Sequence, residues 1–407
     1  MSFNGNITRS EFERAYNKVK KGKKVLSDRQ FTRFKTKDLN GLGIFFKEGI
    51  GPKNLEVLIS DFSSGLYKIK KYTCVVLPKS SGGYRTIFVP SARDRIVFSI
   101  LLEKLKKIFL EEINSYNVFG SGKRKDFKNI KEILHQVHES SSKHEYVLKI
   151  DIKSFFPSID KELILEILKV RLCNEQIYKI VESSMSNGVN FNFKSSLGIA
   201  KDDRLKIEKS AGKGLPQGCA YSPLLANYYA LPLDRSIKSL NLESFRYLDD
   251  MVVFANSEAE AKKALDALQA VAKDLSIVIH DISVGGHKTY IRKTSEPFEY
   301  LGLEVRRDGK FLIPISKIKE EIKMIKSMIV NQGTINKFTV SEVYGVLTEH
   351  IKGWKSYYKN NFPGAYQIFK NGHDYNSQLK KHYNNHPSFL RLLKKRKIDL
   401  SDESLYL

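Results

Sequence analysis

The chain has 407 residues, 41% hydrophobic and 28% charged, so it can build globular cores, and wholesale disorder is excluded. Its 69 Lys and Arg against 45 Asp and Glu give a formal net charge of +24, which favours a polyanionic partner such as nucleic acid. The cysteines have no paired metal spacing, which disfavours a disulfide scaffold and a cysteine-based zinc module: Cys74, Cys173 and Cys219. Without a secretory signal or an apolar run of roughly 20 residues, we expect a cytoplasmic protein with no membrane partner.

The N-terminal third combines a basic helical region with a β-hairpin. Residues 1–70 are rich in Lys and Arg, and Phe12, Ala15 and Val19 recur at helical spacing. Such a helix could be a solvated surface element or an arm that faces phosphates, and the sequence favours neither. Residues 72–90 predict a hairpin, because two β-rich runs flank a Ser-Ser-Gly-Gly turn.

The middle of the chain alternates predicted helices with a buried strand and an irregular stretch. Apolar periodicity predicts helices over about 93–113, 127–138, 160–171 and 174–186. Between them, EYVLKIDI at 145–152 predicts a buried strand ending in an acidic residue. The position of Asp160, directly before KELILEIL, predicts the N-cap of the third of these helices. Residues 187–213 are polar and are predicted to form an irregular surface insertion.

The segment after that insertion carries the strongest turn and cap signals. Residues 217–237 predict a helix, and SFRYLDDMVVFA at 244–255 predicts two strands about a tight turn. Ser257 predicts the cap of the next helix, with Glu260 as its capping-box partner. FEYLGLEVRRDGKFLI at 298–313 predicts a hairpin with an Asp-Gly turn.

Three carboxylates stand at the ends of apolar strands. Asp151 ends one strand, and Asp249 and Asp250 lie in the turn between two others. Carboxylates on buried runs are costly unless they are solvated, paired or bound to metal, and hard Mg²⁺ prefers oxygen ligands. A single such Asp is usually a turn or cap residue, and the Asp249–Asp250 pair by itself leaves both interpretations open.

Seven segments follow one another in unbroken order: PKSSGGYRTIFVPSARDRIVFSIL, NVFGSGKRKDFKNI, KIDIKSFFPSID, GKGLPQGCAYSPLLANYYALPLD, FRYLDDMVVFA, GGHKTYIRK and FEYLGLEV. In this order they resemble the motifs of bacterial reverse transcriptases of the group II intron and retron-like superfamily. The resemblance implies an α+β right-handed palm polymerase with an antiparallel sheet, helices and an α-helical thumb. It implies fingers at 71–150 interleaved with the palm, a palm at 151–313 and a thumb at 314–407.

The resemblance also assigns the chemistry of the site. Asp151 and Asp249 would be shared by two Mg²⁺ ions, which Mn²⁺ could replace, with Asp250 beside them and the Ile152 carbonyl completing one sphere. Phe156 occupies the position of the steric gate, where a bulky ring would exclude a ribose 2′-hydroxyl. The alternative is that Phe155 and Phe156 are both core aromatics.

Further cations and one amide are implied to contact nucleotide or nucleic acid. The incoming nucleoside triphosphate would be contacted by Lys79, Arg85, Gln217 and Lys288, the last as a general acid. The template–primer would be contacted by Arg93, Arg95, Lys352 and Lys355. The alternatives are solvent-facing cations in the hairpin, pairing of Arg93 and Arg95 with Asp94 at the helix start, and core packing for Trp354 in the thumb.

The expected function is RNA-directed DNA synthesis from deoxynucleoside triphosphates, with RNA as template and DNA as product. The profile is most similar to stand-alone reverse transcriptases of defence-associated or unknown groups, which implies a structured noncoding RNA partner and an antiviral role. A homo-oligomer is compatible with the sequence. Alternatives are template-independent or protein-primed synthesis at the same site, a retron-type or group II-derived enzyme, and a non-enzymatic RNA-binding scaffold.

Overall fold

The computed structural model describes residues 7–27, 45–47, 49–78, 83–121, 126–191, 201–282, 288–314 and 316–317. The thumb predicted at 314–407 therefore lies almost entirely outside the described residues. No helix in the described ranges is both long enough and apolar enough to cross a membrane.

Helices and strands alternate along the described chain. The helices are α1 (Arg9–Ser27), α2 (Gly51–Ser63), α3 (Ala92–Asn114), α4 (Asp126–Lys143), α5 (Phe155–Ser158), α6 (Lys161–Arg171), α7 (Glu175–Met185), α8 (Lys201–Ser210), α9 (Ser222–Tyr229), α10 (Leu231–Ser239) and α11 (Glu258–Asp274). The strands are β1 (Tyr72–Pro78), β2 (Tyr84–Val89), β3 (Val118–Phe119), β4 (Tyr146–Lys153), β5 (Val189–Phe191), β6 (Glu243–Tyr247), β7 (Asp250–Ala255), β8 (Val278–Ile279), β9 (Tyr290–Lys293), β10 (Phe298–Tyr300), β11 (Leu303–Val305) and β12 (Phe311–Leu312).

The central sheet has six strands and is built around β4. Its order is β3-β6-β7-β4-β8, with β9 paired to the first half of β4. All pairings in it are antiparallel except β3 with β6. Leu148, Ile150 and Ile152 are buried, and so is Val147 on the opposite face, because helices cover the sheet. This double burial explains the continuous apolar run that predicted the strand.

The hairpin predicted at 72–90 is confirmed, and it belongs to a separate three-stranded sheet. Strands β1 and β2 pair antiparallel, with Leu77 opposite Arg85, while residues 79–82 of the turn lie outside the described residues. The third strand is β5, which runs parallel to β1. The prediction that 187–213 is irregular was therefore wrong for β5 and α8. A three-residue strand is too short to show a period.

Two other predicted elements differ from the structure in detail. The apolar segment at 217–237 forms two helices, which meet at Ala230 because Pro232 lies in the first turn of the second. In the segment at 298–313, β11 and β12 form the predicted hairpin about Asp308 and Gly309. A third strand, β10, pairs with β11 through an earlier turn at Leu301 and Gly302, both at positive φ.

Both predicted helix caps are present. The Asp160 carboxylate accepts hydrogen bonds from the backbone N–H groups of Glu162 and Leu163 at the start of α6. The Ser257 hydroxyl accepts from the Glu260 N–H at 3.1 Å, and the Glu260 carboxylate accepts from the Asn256 N–H. Asp160 is thus committed to a cap, as its position predicted.

Candidate active site

The structure brings the three carboxylates together at one end of the central sheet. Asp151 on β4 lies directly opposite Asp250, the first residue of β7. Leu248 and Asp249 form the turn between β6 and β7, and Leu248 has a φ of 57°, which a branched side chain rarely adopts. The register and the turn therefore place all three acidic groups at one edge, as the sequence predicted.

Crowding of like charges is visible at Asp249. Burial raises the pKa of its carboxyl group, and repulsion by Asp250 and Asp151 raises it further. A cation placed among these oxygens would oppose both effects. The donor set of carboxylates and backbone carbonyls is also the kind that Mg²⁺ prefers.

Asp250 is already held by two protein groups. Its Oδ1 forms an ion pair with Lys149, which is 6% exposed. Lys149 precedes Asp151 by two residues on β4 and therefore lies on the same face of that strand. Its Oδ2 accepts a hydrogen bond of 3.0 Å from the backbone N–H of Leu301, in the turn between β10 and β11. The Lys149 ammonium also lies over the ring of Tyr300. Asp250, which directly follows the β6–β7 turn, is therefore hydrogen-bonded to the turn between β10 and β11.

Asp151 faces two basic side chains. Its Oδ2 lies 3.2 Å from Nζ of Lys288 and 3.3 Å from Nε2 of His280. These two nitrogens are 2.9 Å apart. Burial, followed by the Lys288 charge, lowers the pKa of His280. Within the described ranges, no three His, Cys, Asp or Glu side chains are grouped so that they could hold a metal ion.

A buried hydrogen-bond network around Arg246 stabilises the turn between β6 and β7. Arg246 on β6 has no exposed surface, and its Nε donates to both carboxylate oxygens of Asp234 at 3.0 and 2.9 Å. Its Nη1 donates to Asn227 at 2.9 Å and to the carbonyl oxygen of Leu248 at 3.2 Å. Helices α9 and α10 therefore help to hold the residue that precedes Asp249.

Phe155 and Phe156 differ in burial. Phe155 is 3% exposed and belongs to the core, whereas Phe156 is half-buried. Their rings are 5.9 Å apart and nearly perpendicular. This arrangement disagrees with two equivalent core aromatics, and the role of Phe156 as steric gate stays a prediction.

The structure describes three of the four residues that were predicted to contact the incoming nucleotide. Arg85 is exposed on β2, and Lys79 lies outside the described residues. Gln217 is half-buried, and its backbone carbonyl accepts a 2.7 Å hydrogen bond from the N–H of Phe88. Among the three that lie in the described residues, Lys288 is the one with a contact to the carboxylate edge, through Asp151.

Of the residues predicted to contact nucleic acid, Arg93 and Arg95 form hydrogen bonds within the protein, and the two lysines lie outside the described residues. Arg93 donates to Asp61 at 2.9 Å, lies over the Tyr67 ring and has a side chain only 22% exposed. Arg95 donates to the carbonyl of Pro90. The buried Asp94 carboxylate accepts hydrogen bonds from Tyr67, Ser91 and the Lys70 N–H. Burial raises its pKa, and the nearby charge of Arg93 opposes that rise. Lys352, Lys355 and Trp354 lie outside the described residues.

Sequence reasoning missed Lys149, His280 and Arg246. A lysine or arginine inside a strand looks like a solvent-facing position, and only the tertiary fold reveals its burial. His280 follows the two-residue strand β8, which pairs with Ile152 and Lys153 and is too short to predict. The backbone N–H of His280 donates to the Asp151 carbonyl, which brings the ring to the site.

The fold and the carboxylate edge define a palm polymerase. The reverse transcriptase (RNA-dependent DNA polymerase) family matches residues 77–305, which is more than half of the chain. The chain therefore belongs to the reverse transcriptase family. The retron Ec73 reverse transcriptase of Escherichia coli is 28% identical over 207 residues, covering 49% of this chain and 58% of that protein. The COX1/OXI3 intron 2 protein of Saccharomyces cerevisiae is 24% identical over 229 residues, covering 55% and 23%.

These alignments cover less than two thirds of either relative. Among solved structures, the chain is similar to a telomerase from Candida albicans in complex with a fragment of telomeric RNA. The superposition covers 85% of this chain and 63% of the telomerase chain. The two chains are 12% identical, with a TM-score of 0.38.

Replacing Lys149 by Met should strengthen cation binding at the carboxylate edge. The change removes a buried positive charge beside Asp250, so the Mg²⁺ concentration that half-maximally raises the melting temperature should fall roughly tenfold. The control is Lys153→Met on the same strand, where the lysine side chain is 40% exposed and its ammonium lies 3.5 Å from the exposed Asp281. An equal shift in both variants would contradict the special role of Lys149.

Proposed function

We propose that the protein is an RNA-directed DNA polymerase that extends DNA from deoxynucleoside triphosphates on an RNA template. The observation that supports this most strongly is the convergence of Asp151, Asp249 and Asp250 at the β4–β7 edge. The family match across that edge adds the activity. A scaffold that only binds RNA would have no use for a carboxylate edge at which the Asp249 pKa is raised by burial and repulsion.

Different residues would hold the metal ions and donate the proton to the leaving group. Asp151, Asp249 and the Ile152 carbonyl would hold two Mg²⁺ ions, with Asp250 contributing from its tethered position. When bound, such ions lower the pKa of an attacking 3′-hydroxyl and neutralise charge on the leaving pyrophosphate. Nζ of Lys288 lies 3.2 Å from Asp151 Oδ2, and we assign it as the proton donor to the leaving group. His280 lies within reach of that ammonium.

The remaining side chains would orient the substrate. Arg85 on β2 and Lys79, which follows β1 in the sequence, are assigned to the triphosphate, where a guanidinium fork and an ammonium suit phosphate oxygens. Gln217 would contact the incoming nucleotide. Phe156 would meet its sugar and exclude the 2′-hydroxyl.

Replacing Phe156 by Ala should relax sugar selection. Without the ring, the ribose 2′-hydroxyl finds space, so the preference for dCTP over CTP should fall by at least roughly tenfold in kcat/KM. The measurement is single-nucleotide extension of a DNA primer on a defined RNA template. Phe155→Leu, a change at the core neighbour, is the control and should keep the preference, whereas an unchanged ratio in Phe156→Ala would refute the gate.

The same assay tests the proposed activity. Each of the four deoxynucleotides is supplied alone against each RNA template base. Incorporation only of the complementary nucleotide supports templated synthesis. Incorporation regardless of the template base would instead support template-independent synthesis, and mass spectrometry for a nucleotide-linked tyrosine would detect protein priming.

We further propose that the template in the cell is a structured noncoding RNA and that the DNA serves in antiviral defence. The proposal is supported by the net charge of +24 and by the resemblance to stand-alone defence-associated enzymes. A cytoplasmic setting is a prediction from the sequence. Cells that express the wild type should resist phage infection better than cells that express Asp249→Asn. Equal plaque counts would contradict the defence role.

A further inference from the structure

Residues 214–218, GLPQG, form a loop that joins the palm to the fingers sheet. At one end, the backbone N–H of Leu215 donates to the carbonyl oxygen of Phe156 at 2.9 Å. At the other end, the N–H of Phe88 on β2 donates to the carbonyl oxygen of Gln217 at 2.7 Å. The loop therefore bridges α5, which carries the proposed gate, and the fingers strand β2.

Both ends of this loop need glycine. Gly214 has a φ of 59°, and a Cβ added there would overlap the Phe156 carbonyl oxygen and lie 2.6 Å from the carbonyl carbon of Pro157. Gly218 has a φ of 117°, and its Cβ would overlap the Phe88 carbonyl oxygen. Backbone thus packs directly on backbone at both ends, more closely than any side chain allows.

The helix at the gate end depends on such outside contacts. Helix α5 is a single turn of four residues, preceded by Ser154 at a φ of 49°. One isolated turn has no stability of its own. The Asp160 N–H, which would be the next helical donor to the Phe156 carbonyl, donates to the Tyr229 hydroxyl instead. The carbonyl of Phe156 is held by Leu215, which is itself 1% exposed.

We propose that Gly214 is a positioning residue that sets the depth of the Phe156 ring in the site. The close approach at Gly214 fixes the backbone of α5, and the contact between Gln217 and Phe88 couples that backbone to β2. Selection between deoxyribose and ribose therefore depends on the loop as well as on the Phe156 ring. The inference rests on the proposed function, since it concerns the sugar gate of that reaction.

The chain offers a matched pair of glycines to test this. Gly212 also has positive φ, 85°, but nothing lies within 4 Å of its Cβ position. Alanine at either position adds backbone strain, and only Gly214→Ala collides with Phe156 and Pro157. In Gly214→Ala the kcat/KM ratio of dCTP to CTP should fall roughly tenfold. In Gly212→Ala it should stay within about twofold of the wild-type ratio.

Two further measurements separate positioning from general damage. Amide hydrogen exchange at Leu215, measured without nucleotide, should be faster in Gly214→Ala and unchanged in Gly212→Ala. In the Phe156→Ala background, Gly214→Ala should cause no further loss of sugar selection, because the ring that it positions is absent. If melting shows that Gly214→Ala is unfolded, Gly218→Ala displaces the loop from the Phe88 end and should lower the ratio in the same direction.

The outcomes that would overturn the proposal are distinct from failure of the proposed function. A wild-type ratio in Gly214→Ala despite faster exchange at Leu215, or an equal loss in Gly212→Ala, would overturn it. So would an unchanged ratio in Gly218→Ala. A wild-type protein that makes no DNA would refute the polymerase function, and the exchange comparison would still report whether Gly214 holds α5.

Discussion

Replacing Asp249 by Asn is expected to lower DNA synthesis by at least about 1,000-fold while the fold remains intact. The variant keeps the shape of the side chain and removes one of the charges gathered at the β4–β7 edge. Burial and the neighbouring carboxylates raise the pKa of Asp249, so its ionised form destabilises the fold at neutral pH. The amide removes that cost, and the melting temperature without Mg²⁺ should be equal to or higher than that of the wild type.

The control is Asp160→Asn, at the end of the segment that carries Asp151. Asp160 caps α6, and Asn caps a helix about as well as Asp, so this variant should keep both stability and activity. Primer extension and thermal melting, with and without Mg²⁺, check both variants. Asp249→Asn that retains a tenth or more of the activity, or Asp160→Asn that loses as much, would be incompatible with the proposed site.

The second large effect is expected at Arg246, which has no exposed surface. Replacing it by Met leaves Asp234 buried without its ion-pair partner and removes the donor to the Leu248 carbonyl. Breaking one side of a buried pair costs about 3–5 kcal/mol, so the free energy of unfolding should fall by that amount. Activity should fall as well, because the turn that carries Asp249 loses a support.

A double-mutant cycle separates the two contributions at Arg246. In Arg246→Met with Asp234→Leu, both charges are replaced by apolar groups, and most of the lost stability should return. Activity should return less completely, because the Leu248 carbonyl still lacks its donor. Denaturant unfolding and primer extension of the three variants measure the two quantities. A single variant as stable as the wild type would contradict the buried network.

The sequence predicted the features that rest on local patterns. The strands on either side of Asp249, the hairpin at 72–90 and the cap at Asp160 each follow from periodicity or turn chemistry within a few residues. The meeting of Asp151 with Asp250 required the order of the family motifs, since strand pairing across about 100 residues has no local signature.

The features that sequence could not predict depend on tertiary contacts. Lys149 occupies a position in β4 where a lysine would ordinarily face solvent, yet it is buried and its ammonium contacts Asp250 on β7 and the ring of Tyr300 on β10. Strand β5 has three residues, and its pairing with β1 decides its conformation. Arg246 is explained only by Asn227 and Asp234, which arrive on two helices.

The most direct test of RNA-templated synthesis uses the protein together with the nucleic acid that co-purifies with it. Mg²⁺ and labelled deoxynucleotides are added with and without prior RNase, to the wild type and to Asp249→Asn, and the product is sequenced. We predict a DNase-sensitive product that requires Asp249, disappears after RNase and is complementary to the bound RNA. A product that survives RNase, or that matches no co-purified RNA, would contradict RNA-directed synthesis.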